Sequence, residues 1–175
     1  NPATGASLAD APMASHQDLE DAVSAAKKAG PAWARDEPLR RDTLKRMAAV
    51  VAEHRDQLAT VLSQETGLTF KTAQDEVGMA AVFLNYRATA ATPMDTITDD
   101  GKQRVVVVRR PFGVVGAIIP WNAPMMIACE KVGTAFAAGN CVVMKASPLA
   151  PLTLLLFGRL VADVVPSGVI NVVSG

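Results

Sequence analysis

Apolar positions recur at helical spacing through the first half of the chain. Leu19, Val23, Ala26 and Ala29 form one stripe. Ser15 stands ahead of it as an N-cap, with Asp18 three residues on as the acidic member of a capping box, and Gly30-Pro31 predicts its end. A second stripe, Leu39, Leu44, Met47, Val51, Leu58 and Leu62, predicts one long helix from Pro38 to a stop at Gly67. Val77, Ala80, Ala81, Leu84 and Tyr86 predict a third over residues 72–90, closed by Pro93.

The period then changes. The stretch TITDDGKQRVVVVRRP predicts two β segments around Asp100-Gly101, a favoured hairpin dipeptide. Four valines followed by two arginines suit an arm that lies against other protein surface. From Gly113 the pattern alternates between continuous apolar runs and helical segments. It predicts a buried strand over 114–119, a helix over 125–138, a strand over 141–144, a helix over 151–165 and a strand over 169–173. Fully apolar strands alternating with helices predict a parallel α/β sheet covered on both faces and joined by right-handed crossovers. Three parallel strands leave open edges, so the isolated 175 residues are expected to aggregate or to order against further protein.

Composition narrows the function. Lys plus Arg equals Asp plus Glu at 17 each and aromatics are 5 %, which gives no footprint for nucleic acid. The longest apolar run, 105–119, is broken by Arg109, Arg110 and Pro111, so no membrane span is expected. Cys129 and Cys141 have no CxxC spacing, and a reducing, cytoplasmic location is expected. Cys129 falls mid-helix and Cys141 opens a strand, so neither has the setting of a reactive thiolate. His16 and His54 fall on charged helical faces, and no metal site is expected. The chain opens on Asn1 without an initiator methionine or signal-peptide pattern and closes on an apolar strand, which predicts a piece of something longer.

Ligands of an open parallel sheet bind beyond the carboxyl ends of its strands. Those ends are PWNAP after the first strand, KASPLAP after the second and Gly175 after the third. Lys145 is either a crevice lysine or a solvated strand-end lysine. The helix start near Ser147–Pro151 offers free N–H groups for a ribose or phosphate. No GxGxxG follows the first strand. Asn122, between Pro120 and Pro124, is either a turn residue that satisfies local backbone or a fixed amide donor for a developing oxyanion.

The segments RRPFGVVGAIIPWNAP, KASPLAP and PSGVINVVSG, preceded by NPATG, Trp33, RRDTLKRMA and QETGLTFKTAQDEV in that order, closely resemble the N-terminal portion of the aldehyde dehydrogenase superfamily across essentially the whole chain. The resemblance implies a Rossmann-like βαβαβ sheet behind N-terminal helices, with a β-hairpin arm used in oligomer contacts. It divides the chain into a helical part (residues 1–93) of the cofactor-binding domain, the arm (94–112) and the βαβαβ unit (113–175), with the catalytic domain outside these residues. It implies NAD or NADP as cofactor, a small aldehyde as substrate and a homo-oligomer, dimer or tetramer, as the full-length protein. In such enzymes a cysteine thiolate attacks the aldehyde, hydride passes to the nicotinamide, and water activated by a glutamate releases the acid.

Carried over by residue, Asn122 falls where the family has its oxyanion donor. Ile118, Ile119, Pro120 and Trp121 fall on the cofactor groove, and Lys145, with Ser147 and Pro148 after it, falls by the adenosine ribose or its 2′-phosphate. Gly175 falls near the adenine. Pro148 stands where many NAD-preferring members have a glutamate, which makes NADP plausible. Glu130 stands where an aromatic residue often borders the substrate tunnel; it is either solvated or favours a polar or cationic aldehyde. The family's nucleophilic cysteine and catalytic glutamate have no counterpart in these residues. Two alternatives stay open: an inert nucleotide-binding or interaction module, and a member that forms an acyl-coenzyme A.

Overall fold

In a computed structural model that describes residues 1–91 and 93–175, the capping box forms as the sequence predicts: Ser15 Oγ accepts from the Asp18 N–H at 3.2 Å, and the Ser15 N–H donates to Asp18 Oδ2 at 2.7 Å. The helix it opens, α1 (His16–Arg35), does not stop at Gly30-Pro31 but runs through Pro31. A proline inside a helix removes an N–H and crowds the preceding turn. Here tertiary anchors hold the final turn. Trp33 is buried, stands edge-on to Phe136 at 4.9 Å between ring centroids, and donates from Nε1 to the Asn140 carbonyl at 3.0 Å. The Arg40 guanidinium donates to the Trp33 and Ala34 carbonyls at 3.1 and 2.7 Å.

The expected long second helix is two, α2 (Glu37–Glu53) and α3 (Arg55–Thr66), which break at His54 (φ −97°, ψ 21°). No glycine or proline marks the break. Its reason is packing: α2 lies against α5, α3 lies against α6, and a single straight rod cannot serve both. Gly67, at φ 81°, ends α3 as expected. Helix α4 (Phe70–Thr89) starts two residues earlier than predicted, because Thr69 caps it by accepting from the Thr72 N–H at 3.2 Å. Its buried stripe is Ala73, Val77, Ala80, Ala81, Leu84 and Ala88; Tyr86 lies off that stripe and is 63 % exposed.

Strands β1 (Asp95–Asp99) and β2 (Arg104–Val107) form the predicted antiparallel hairpin, with a register shift between Thr96 and Thr98. Asp100 Oδ1 accepts from the Lys102 and Gln103 N–H groups at 2.9 and 2.7 Å, and these bonds hold its carboxyl below the usual carboxylate range. Ile97, Val105, Val107 and Val108 are exposed along it.

Three parallel strands, β3 (Val114–Ile118), β4 (Cys141–Ala146) and β5 (Ile170–Ser174), form the second sheet in the order β3-β4-β5. Helix α5 (Pro124–Ala137) connects the first pair and α6 (Leu152–Leu160) the second. Helix α6 is shorter than predicted; past Leu160 the chain tightens into turns in which Val164 N–H bonds back to Val161. Helix α1 packs on one face of the sheet; α5 and α6 pack on the other, backed by α2, α3 and α4. Only β4 is buried almost throughout. β3 is an edge strand rather than the fully buried one expected, with Gly116 and Ile118 open to solvent. Helices and sheet share one continuous core that runs from Ala22 to Val169.

Gly168 shows how closely α1 approaches the sheet. It has φ 82°, and a Cβ there stands 2.7 Å from the Ala25 carbonyl oxygen. Gly168→Ala is therefore expected to lose roughly 1–3 kcal/mol from combined backbone strain and steric contact, read as a lowered denaturation midpoint.

Candidate functional site

The register of the parallel sheet brings the three strand ends together. Ile118 is opposite Lys145, and Lys145 is opposite Val173. In a parallel ladder, residues in register share a face, so these three side chains lie on the α1 side of the sheet. Ile118 is 77 % exposed and Lys145 is half-buried. Lys145, Val173 and Gly175 line a hollow of about 240 Å³ with Ser15, His16 and Leu19 from the start of α1. Lys145 and Gly175, at the ends of neighbouring strands, thus line one hollow.

Beyond β3 the chain runs through Pro120, Trp121, Asn122 and Ala123 into α5. Trp121 and Asn122 are exposed, and Pro120 is half-buried. The Asn122 carboxamide makes no hydrogen bond among the described residues, so no local turn engages it. Ile119 differs from the expectation of a groove-lining side chain: it is 2 % exposed and sits in the core. Only its backbone reaches the strand end, where its N–H donates to the Lys145 carbonyl at 3.0 Å. Ser147 is also buried, and its Oγ accepts from the Leu149 N–H at 3.2 Å. Pro148 is exposed and lines a separate hollow of about 350 Å³ with Leu8, Glu65 and Leu149.

The structure overturns one expectation outright. The N-terminus of α6 is not free to hold a phosphate. Glu65, from α3, accepts from the Leu152 and Thr153 N–H groups at 2.8 and 2.9 Å and from the Thr153 hydroxyl. Helix α5 is treated alike: Glu76, from α4, accepts from the Met125 and Met126 N–H groups at 2.9 and 3.3 Å. Neither helix has a capping side chain of its own, because Ala123 and Pro151 hold the N-cap positions. Each glutamate thus meets the positive end of a helix dipole and the free donors of its first turn. Burial raises the carboxyl pKa of Glu76, opposed by its two backbone hydrogen bonds. Its contribution to stability is therefore greatest below the ordinary glutamate pKa and is lost as pH rises through the raised one, so the ionised group is a cost to the fold at neutral pH.

Sequence reading missed both glutamates, although signals existed. Glu65 continues the buried Leu58–Leu62 stripe of α3, a carboxylate where periodicity calls for an apolar residue. Alanine and proline at the two N-caps leave donors that must find partners elsewhere.

Cys129 and Cys141 are both buried, and burial raises both thiol pKa values, that of Cys129 further by the nearby Glu76 carboxylate. The sequence reading of both as unreactive agrees. Glu130 is exposed and lines a hollow of about 440 Å³ with Val115, Ala117 and Thr134, on the opposite side of β3 from Ile118. Among the described residues there is no cluster of metal-ligating side chains.

These donors fit part of a dinucleotide. Lys145 can donate to ribose hydroxyls or a phosphate, and Ile118 and Trp121 present apolar surface beside it. With both helix N-termini filled by glutamate, the residues present offer no helix-end cradle for a pyrophosphate. A parallel α/β sheet binds ligands beyond the carboxyl ends of its strands, and a lysine and exposed apolar side chains stand at these ends.

The chain belongs to the aldehyde dehydrogenase family, whose model matches residues 1–175. It is 39 % identical over 178 residues to the aldehyde dehydrogenase LUC3 of a Fusarium species, covering all of this chain and 37 % of that protein. Its fold superposes on an NADP-dependent enzyme of E. coli with a TM-score of 0.95 at 34 % identity, over 100 % of this chain and 37 % of that one. PnpE in complex with nicotinamide adenine dinucleotide matches with a TM-score of 0.88 at 36 % identity, over 93 % of this chain and 34 % of that one. The chain thus spans somewhat over a third of the length of the relatives it matches.

Proposed function

We propose that these residues form a cofactor-side part of an NAD(P)-dependent aldehyde dehydrogenase, with Asn122 as donor to the oxygen of the reacting carbonyl. The Asn122 carboxamide, which makes no hydrogen bond among the described residues in the turn between β3 and α5, carries this reading. Lys145 donates to the adenosine ribose or its 2′-phosphate, and Ile118 and Trp121 give the cofactor apolar surface. NAD+ or NADP+, when bound, accepts the hydride. Asn122 Nδ2–H meets the substrate oxygen as it gains negative charge, and such a donor acts most strongly when held in place beforehand. Both thiols here are buried and therefore unsuited to attack, so the reading assigns the nucleophile and the water-activating glutamate to family positions outside these residues.

The hairpin, with its exposed Ile97, Val105 and Val107, supports a homo-oligomer in which the arm covers a second subunit. No helix among the described residues is long and apolar enough to cross a membrane, and a cytoplasmic enzyme is the reading we favour. The test compares the full-length protein with residues 1–175 alone, each assayed with aldehydes and both cofactors. Full-length turnover with none from the shorter chain supports the proposal. Turnover by the shorter chain, or none by the full-length protein with any aldehyde, contradicts it.

Cofactor choice gives a second expectation. Pro148 offers no carboxylate to repel a 2′-phosphate, so NADP is accepted. Pro148→Glu in the full-length enzyme is expected to lower kcat/KM for NADP at least tenfold relative to NAD, through repulsion between the new carboxylate and the 2′-phosphate. An unchanged ratio counts against this placement of the ribose.

A further inference from the structure

We infer that Glu76 is a positioning residue for Asn122: by occupying the first turn of α5, it keeps the Asn122 carboxamide free to face the substrate. The inference rests on the proposed role of Asn122. The first turn of α5 has little means of satisfying itself. Ala123 at the N-cap has no side-chain acceptor, and Pro124 has no N–H to offer. The next two donors, Met125 N–H and Met126 N–H, converge on one oxygen of Glu76, which reaches across from α4.

Asn122 lies immediately before this turn, and asparagine is among the side chains that bond most readily to free N–H groups at a helix start. Without Glu76, those two donors are left to the Asn122 Oδ1, three and four residues back along the chain. An amide captured in that way no longer projects from the strand end. Glu76 thus works by competition: it satisfies the helix from a distance, so the neighbouring asparagine does not have to.

A double-mutant cycle on the full-length enzyme tests this. It uses Glu76→Ala, Asn122→Ala and the pair, with Glu76→Gln as the variant that keeps the acceptor and the reach. Glu76→Ala is expected to lower kcat tenfold or more while KM for the cofactor stays within about threefold, and Glu76→Gln to restore most of the loss. In the Asn122→Ala background, Glu76→Ala is expected to cost less than threefold further. If Glu76→Ala yields no soluble enzyme, Glu76→Asp, which shortens the reach by one methylene, takes its place in the cycle. Equal losses from Glu76→Ala in both backgrounds overturn the positioning role while leaving Asn122 intact. No loss from Asn122→Ala alone overturns the role of Asn122, and this inference with it.

Discussion

Asn122→Ala in the full-length enzyme is expected to lower kcat by about 10²–10³-fold, the usual consequence of removing one preorganised oxyanion donor. Cofactor KM is expected to change little, because Ile118, Trp121 and Lys145, which we propose to hold the cofactor, remain. The size of the effect follows from how the amide is held. Pro120 and Pro124 restrict the backbone on either side, the Ile119 N–H ties the strand end to Lys145, and Glu76 fixes the helix that follows. A donor mounted on a rigid turn needs no reorganisation as charge develops on the substrate oxygen. A merely local turn residue shows itself by the opposite pattern: lost stability with intact kcat.

The largest effect on stability is expected at Trp33. Trp33→Ala removes a fully buried indole, its edge contact with Phe136 and its bond to the Asn140 carbonyl, and is expected to destabilise by about 3–5 kcal/mol. The consequence spreads because Asn140 is itself a joint. Its Oδ1 accepts from the Gly113 N–H at 2.9 Å and its Nδ2 donates to the Ala135 carbonyl, which ties the start of β3 to the end of α5. Trp33→Phe, which keeps a ring but no N–H, is expected to recover part of the loss. Chemical denaturation of the three proteins side by side reads both values; equal midpoints for all three contradict the assigned role.

Much of the fold was legible because local signals and tertiary demands agreed. The Ser15 box, the Asp100-Gly101 turn, the Gly67 stop and the alternating strands and helices after Gly113 each need only neighbours in sequence. Reading failed where distant contacts decided. Pro31 looks like a helix end until Asn140 and Arg40 are seen to hold the turn beyond it. His54 looks helical until α5 and α6 are seen to require a bend.

The site divides in the same way. Lys145 and Gly175 fall at neighbouring strand ends, and the parallel topology sets them beside one hollow. Ile119 and Ser147 each stand one residue past a strand, where one step along the chain decides between groove and core, and both are buried. For Glu65 and Glu76 the sequence shows the need for an acceptor but not which residue meets it, because their partners lie 87 and 49 residues away in the chain.

The most direct measurement is the single-turnover rate of hydride transfer in full-length wild type and Asn122→Ala at saturating cofactor and aldehyde, followed by nicotinamide absorbance. The hydride step is expected to slow about 10²-fold or more, with cofactor affinity within a few-fold of wild type. A hydride step as fast as wild type contradicts the proposed role of Asn122.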